Sequence, residues 1–244
     1  MPNSQKENLR ASIIICNFNY GRYLSEAISS ALAQSHKNLE VIVVDDGSND
    51  QTFSHLDAHF SLSPFFLKPC TTLSNSALLG TFQSKLFLNL NVIQKIHSGK
   101  ADSLNVGIQF STGKYICCID SDSIITPDAL RKLVIKFINE PSLVALGGAI
   151  APSNEIVIKH GEIERKRTSQ SVFVGVQIIE YLRSFTSWRT GWSYLDGLLI
   201  IGGALTVFTR DALMKVGGYR TEAYCEDLEI ILTRSEEHTS ELQS

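Results

Sequence analysis

Residues 12–50 read SIIICNFNYGRYLSEAISSALAQSHKNLEVIVVDDGSND. Ser12 to Cys16 is an apolar, β-branched run without alternation, the pattern of a strand covered on both faces. A polar turn containing Gly21 follows over Asn17 to Arg22. From Tyr23 to Gln34, the residues Leu24, Ala27, Ile28, Ala31 and Leu32 recur at helical spacing. Leu39 to Val44 is a second buried strand and runs straight into Asp45-Asp46. Strand, helix and strand with short joints make a βαβ unit, which predicts an α/β fold on a mostly parallel sheet flanked by helices.

Downstream, Ser48-Asn49-Asp50 offers capping side chains for a short helix. The stretch from His59 to Asn89 has no clear period and reads as a long insertion. Leu90 to Gln94 is a strand, Lys100 to Ser111 a helix, and Tyr115 to Ile119 the strand that delivers Asp120. Thr126-Pro127 predicts an N-cap with proline in the first helical position, and Glu140-Pro141 ends that helix. Leu143 to Ile150 reads as a strand and Glu155 to Thr168 as an exposed hairpin or loop. Val172 to Phe185 reads as an amphipathic helix with Val176, Ile179 and Leu182 on one face. Leu198 to Phe208 reads as a buried strand interrupted by Gly202-Gly203, and a helix from Arg210 leads to a Gly217-Gly218 turn.

With 244 residues, 43% of them hydrophobic, the chain is ample for a buried core of one large domain. A net charge of −3 without a basic stripe argues against a nucleic-acid partner. The five cysteines form no metal-spaced pair, and Cys117-Cys118 lies within an apolar strand, so a reducing compartment is the default. The polar start MPNSQKENLR is not a signal peptide. The most apolar run, Gly197 to Phe208, falls short of the roughly 20 residues a spanning helix needs.

Three acidic clusters carry the candidate chemistry: Asp45-Asp46, Asp120-Ser121-Asp122 and Glu226-Asp227. In open α/β sheets, ligands bind beyond the carboxyl ends of the strands. Asp45 or Asp46 there can accept hydrogen bonds from a nucleoside, or simply cap the next helix. Asp120 and Asp122, two residues apart on extended backbone, project to one side. Two carboxylates with a diphosphate suit Mg²⁺ or Mn²⁺; an ordinary polar turn is the alternative. Glu226-Asp227 supplies a candidate general base, or acidic residues that stabilise a helix N-terminus. Lys100 can reach a phosphate or stand exposed in a first helical turn. Trp188 and Trp192 can support a sugar ring or belong to a core cluster.

Three blocks in this order resemble the family 2 glycosyltransferases with the GT-A fold, a Rossmann-like architecture. They are residues 12–50, GKADSLNVGIQFSTGKYICCIDSDSIITPDAL (residues 99–130) and GGALTVFTRDALMKVGGYRTEAYCEDLEI (residues 202–230). The resemblance implies a metal-dependent, inverting transfer of a hexose or N-acetylhexosamine from a UDP-sugar to a saccharide or lipid-linked acceptor. It places Asp46, with Asp45 beside it, at the uracil and ribose, and Asp120 near the ribose and diphosphate. Asp122 becomes the direct metal ligand, with Asp120 beside it, and Lys100 a donor contact. Asp227 becomes the base, with Glu226 as its neighbour, and Gly202-Gly203 lines the acceptor path.

The GKADSLN block, the Leu198 to Phe208 block and the insertion before Leu90 look like membrane polysaccharide synthases of the poly-N-acetylglucosamine, cellulose or hyaluronan type, whereas the first forty-odd residues look more like the soluble, single-addition members. For a full-length protein that implies the cytoplasmic face of a membrane. The expected organisation is a polar tail over residues 1–10 and a glycosyltransferase domain over residues 11–233, cut short at its C-terminal end. Residues 234–244 resemble a translated sequencing-adapter read. Two other readings stay open: a nucleotide-sugar-binding domain without turnover, and a nicotinamide-dependent oxidoreductase. The latter lacks the G-x-G-x-x-G turn after the first strand.

Overall fold

A computed structural model describes residues 9–74, 76–150, 156–159, 162–166, 171–184, 204–222 and 229–230. Ten strands and six helices are described within them. In chain order they are β1 (Ala11–Asn17), α1 (Gly21–Leu32), β2 (Leu39–Asp45), α2 (Thr52–Phe60), β3 (Leu62–Pro64), β4 (Leu78–Ser84), β5 (Leu90–Lys95) and α3 (Lys100–Phe110). Then come β6 (Tyr115–Asp120), α4 (Ala129–Asn139), β7 (Ala145–Gly147), β8 (Ile156–Lys159), β9 (Glu162–Lys166), α5 (Val172–Leu182), β10 (Leu205–Thr209) and α6 (Arg210–Lys215).

Eight strands form one sheet in the order β3-β4-β5-β2-β1-β6-β10-β7. The central four, β5-β2-β1-β6, are parallel. The flanking strands pair antiparallel. Strand order runs outward from β1 through β2 to β5, then returns across β1 to β6. The switch point therefore lies between β1 and β6, where such sheets open a crevice at their carboxyl ends.

The uniformly apolar strands split into two faces, as their period of two requires. Ile13, Ile15, Val41, Val43, Val92, Cys117 and Ile119 pack with α1, α2 and α4. Ile14, Ile116, Cys118 and Phe208 pack with α3 and α6 on the other face, where Ile42, Val44 and Ile93 also meet α3. α1 buries Leu24, Ala27, Ile28 and Ala31, the expected stripe. α3 lies so close to β1 that a Cβ on Gly107 would sit 2.4 Å from Cγ2 of Ile14.

Several boundaries differ from the sequence reading. The insertion between α2 and β5 contributes β3 and β4, which extend the sheet edge. Their residues are mostly half-buried or exposed, so no apolar period marked them. α4 starts at Ala129, after Asp128, and not at Thr126-Pro127. The carbonyls of Thr126 and Pro127 are taken instead by Gln34 Nε2 (2.8 Å) and the Ser35 N–H (2.7 Å), while Gln34 Oε1 accepts the Leu130 N–H (3.0 Å). The end of α1 thus caps the start of α4. β7 keeps only three residues, Ala145–Gly147, paired with Phe208, Val207 and Thr206 of β10. α5 forms, but Val176, Ile179 and Leu182 are exposed, and no residue of α5 is buried among the described residues. The hairpin expected in residues 155–168 is the antiparallel pair β8-β9. The part of the Leu198 to Phe208 strand before Ala204 lies outside the described residues. No helix among the described residues is long and apolar enough to cross a membrane.

Gly107→Ala should destabilise the fold. Ile14 is wholly buried and cannot yield, so overpacking of about 1–3 kcal/mol opposes a helix-propensity gain of about 1 kcal/mol. Gly175 has no atom within 4 Å of its added Cβ. Urea unfolding should show a lower midpoint for Gly107→Ala and an unchanged or higher one for Gly175→Ala.

Candidate active site

A cleft of about 360 Å³ opens at the carboxyl ends of β1, β2, β5 and β6. Its walls come from the end of β1 (Cys16, Asn17, Phe18, Tyr20), from Asp46 and from the entry to α3 (His97, Gly99, Lys100, Ser103). Asp120, Ser121 and Asp122 after β6 close the other side. Four sequence-nominated residues, Asp46, Lys100, Asp120 and Asp122, therefore meet in one crevice.

Asp45 and Asp46 are adjacent on extended backbone and turn opposite ways. Asp45 is buried beneath the cleft, where its carboxylate accepts from Ser48 Oγ, Asn17 Nδ2 (3.3 Å) and Gln94 Nε2 (3.4 Å). It is not among the cleft walls and orients Asn17, which is. The Oδ1 of Asn17 is buried without a hydrogen-bond partner among the described residues.

Asp46 is 3% exposed and anchors the loop from β5 to α3. Its Oδ1 accepts from Lys95 Nζ and the Ser98 N–H (3.0 Å). Its Oδ2 accepts from the Gly99 N–H (2.8 Å) and lies 2.8 Å from His97 Nδ1. Lys95 is fully buried and also pairs with Asp102 at 3.1 Å. Burial pushes the Asp102 carboxyl up, but hydrogen bonds from Ser74, Ser76, Ser98 and Lys95 outweigh it and hold the group at about 2.

Lys100 opens α3 and pairs with Asp120 Oδ1 at 2.9 Å, both side chains being part-exposed. Asp122 is exposed at the cleft wall. Among the described residues no group of three or more His, Cys, Asp or Glu side chains converges. Asp120 and Asp122 thus fit a hard cation held by one or two carboxylates plus substrate phosphates, and not a self-sufficient protein cage. A cation would compete with Lys100 for Asp120.

The remaining nominated residues, Glu226, Asp227, Gly202, Gly203, Trp188 and Trp192, lie outside the described residues. The chain on either side of the last acidic pair is anchored. Asn105 of α3 donates to the Tyr219 carbonyl and accepts the Tyr219 N–H, both at 2.8 Å. Gly218 before it has φ +81°, and a Cβ there would lie 2.5 Å from Asn105 Oδ1. Arg220 pairs with Glu229 at 2.7 Å, and Ile230 is buried with Leu104 and Ile108.

The sequence reading missed Asn17, Phe18, Lys95 and His97. The strand-end rule that selected Asp45-Asp46, applied to β1, would have selected Asn17 and Phe18. Lys95 carried no signal, since a lysine ending an apolar strand reads as solvent-facing.

Lys95→Met should cost about 3–5 kcal/mol at neutral pH, because it strands two buried carboxylates; urea unfolding measures it. Asp102 supplies a pH test. Its folded pKa lies below the unfolded value of about 3.9, so its stabilisation is complete above that value and disappears as pH falls towards 2. Replacing Ser74 and Ser76 together by Ala removes two of its donors. The acid-unfolding midpoint, followed by circular dichroism, should then move to higher pH.

Similarity to known proteins agrees with this architecture. A glycosyltransferase of Haemophilus influenzae, itself uncharacterised, is 32% identical over 148 residues, covering 61% of this chain and 38% of that protein. The poly-β-1,6-N-acetyl-D-glucosamine synthase of Staphylococcus epidermidis is 25% identical over 219 residues, covering 90% of this chain and 44% of the synthase. The chain thus spans less than half the length of these relatives. Among solved structures, a mannosyltransferase from Pyrobaculum calidifontis in complex with GDP-Man and Mn²⁺ superposes with a TM-score of 0.59 at 19% identity, over 91% of this chain and 51% of that one. S. aureus TarS in complex with UDP-GlcNAc gives 0.56 at 17% identity, over 93% and 53%. The central, mostly parallel sheet is that of the GT-A fold. Residues 12–189 match the model of glycosyl transferase family 2, and with that match covering most of its length the chain belongs to this family.

Proposed function

We propose that the cleft binds a UDP-sugar together with Mg²⁺ or Mn²⁺, and that the full-length protein transfers a hexose or N-acetylhexosamine to a saccharide or lipid-linked acceptor. The observation that carries this reading is the meeting of Asp46, Lys100, Asp120 and Asp122 at the switch point of the parallel sheet. A nucleoside diphosphate needs donors and acceptors for its nucleoside, a positive charge for its phosphates and oxygen ligands for its cation. The cleft offers each of these. The relatives add support, since one is a poly-N-acetylglucosamine synthase and two fold neighbours were solved with nucleotide-sugars.

In this reading Asp46 faces the nucleoside, and Asp45 acts through Asn17. Lys100 exchanges its pairing with Asp120 for a phosphate oxygen of the donor. Asp122, with Asp120 beside it, would hold the cation, which when bound neutralises charge on the departing nucleoside diphosphate. Asp227 takes the proton of the acceptor hydroxyl, with Glu226 beside it. One base and no enzyme nucleophile imply inversion at the anomeric carbon. Gly202, Gly203, Trp188 and Trp192 are assigned to the acceptor side. Polysaccharide or cell-envelope glycan synthesis at the cytoplasmic face of a membrane is the corresponding role for the full-length protein.

The test is sugar transfer and UDP release from UDP-N-acetylglucosamine and UDP-glucose, with and without Mn²⁺, by the full-length protein. Asp227→Asn should lower turnover by roughly 10²-fold or more with donor binding intact, the scale of lost general-base catalysis. Asp122→Ala should abolish Mn²⁺-dependent UDP binding in calorimetry. Wild-type turnover in Asp227→Asn removes that residue from the mechanism. Nucleotide binding without any turnover would mark a binding domain, and affinity for a nicotinamide cofactor instead would mark an oxidoreductase.

A further inference from the structure

The Asp46 carboxylate is full. A carboxylate offers about four lone-pair sites: Lys95 Nζ and the Ser98 N–H fill Oδ1, the Gly99 N–H takes one site on Oδ2, and the His97 ring, with Nδ1 2.8 Å from Oδ2, covers the last. Three of the four cannot leave. Ser98 and Gly99 contribute backbone from the loop that opens α3, and Lys95 is fully buried between two acids. A nucleoside that is to hydrogen-bond Asp46 must therefore take the place of the fourth.

His97 is built to yield that place. Its side chain is 54% exposed, and its Nδ1 hydrogen-bonds the Asp46 carbonyl oxygen at 3.0 Å while lying 2.8 Å from Asp46 Oδ2. Its ring stacks on Phe18, with centroids 4.2 Å apart and planes 26° from parallel. Phe18 is itself 42% exposed, and both rings line the cleft. Rotation about the His97 side-chain bonds would break both contacts with Asp46 without moving backbone.

We infer that His97 is the displaceable donor on Asp46: an N–H or O–H of the incoming nucleoside replaces the imidazole at Oδ2. This rests on the cleft being a nucleotide-sugar site, and it names the residue that sets selectivity there. A ligand with a suitably placed donor exchanges the imidazole contacts for a charge-assisted hydrogen bond of its own. A ligand without one must leave His97 in place, or displace it and strand a buried carboxylate oxygen, which costs more than a hydrogen bond contributes. His97 lowers affinity for every nucleotide that displaces it, and so sharpens the choice between those that can replace its bond and those that cannot.

The experiment is calorimetric titration of UDP into the full-length protein, wild type and His97→Phe, with Mn²⁺ present. Phenylalanine keeps a ring for Phe18 to stack on but has no N–H. The expected result is UDP binding about 3- to 10-fold tighter in H97F, the scale of one competing hydrogen bond. In wild-type protein with ¹⁵N-labelled histidine, UDP should shift the His97 Nδ1 resonance as its bond to Asp46 is lost. N3-methyl-UDP and 2′,3′-dideoxy-UDP identify the replacing group, because the analogue that lacks it shows no gain in H97F. Equal or weaker UDP binding by H97F, an unmoved His97 resonance in the UDP complex, or a full gain with both analogues overturns the inference while leaving the nucleotide site intact. Failure of wild-type protein to bind UDP overturns both.

Discussion

The buried ammonium of Lys95 is the contact on which the cleft depends. Taking an ion out of water costs several kcal/mol, and the cost is recovered only with close partners and satisfied lone pairs. Lys95 has Asp46 on one side and Asp102 on the other. The remaining acceptor sites are taken by hydroxyls of Ser74, Ser76 and Ser98 and by the N–H groups of Ser98 and Gly99. The cluster ties the end of β2, the loop after β5 and the first turns of α3 to each other. The loop is wrapped around a carboxylate, and Lys100 therefore emerges facing Asp120.

The sheet supplies the other half of the constraint. Parallel β1, β2, β5 and β6 all end on the same side, so polar residues that follow four separate apolar runs are gathered along one edge. At the opposite edge a second buried acid, Glu40, holds the strand starts. It accepts from Ser12 Oγ (2.6 Å), from the Thr112 N–H (2.6 Å) and hydroxyl (2.8 Å), and from Arg10 (3.0 Å). Apolar packing on both faces gives the sheet its stability. The two polar clusters fix which strands end where.

That division explains what could be read from the chain. β1, β2 and β6 were legible because strands covered on both faces show as unbroken β-branched runs. Their carboxyl ends were then legible as a site by the topology rule, and Asp46, Lys100, Asp120 and Asp122 do share the cleft. β3 and β4 were not legible, since half-exposed edge strands carry no such run. The separate fates of Asp45 and Asp46 were implicit in the period of two along a strand, yet treating the pair as one acidic cluster hid them. Lys95 and His97 were out of reach, because a buried lysine and a ring nitrogen set against an aspartate are defined only by partners about 50 positions away.

The stretch Lys100 to Asn105 then acquires a physical meaning residue by residue. Lys100 and Ser103 line the cleft, Asp102 completes the Lys95 cluster, and Asn105 clasps the backbone of Tyr219. These positions sit on a single rigid rod rising 1.5 Å per residue, so the spacing between the cleft and the Tyr219 segment is set by helix geometry and not by loop conformation. Tyr219 is locked further by edge-on packing with Phe208 and by its hydroxyl, 3.8 Å from Cys118 Sγ. The chain that continues from Tyr219 towards Glu226-Asp227 returns at Glu229 and Ile230, which are held by Arg220 and by the same apolar cluster as α3. A displacement of α3 would therefore move Lys100 and both anchors of the last acidic pair together. The first turns of this helix consequently constrain the whole candidate site more tightly than any one carboxylate within it.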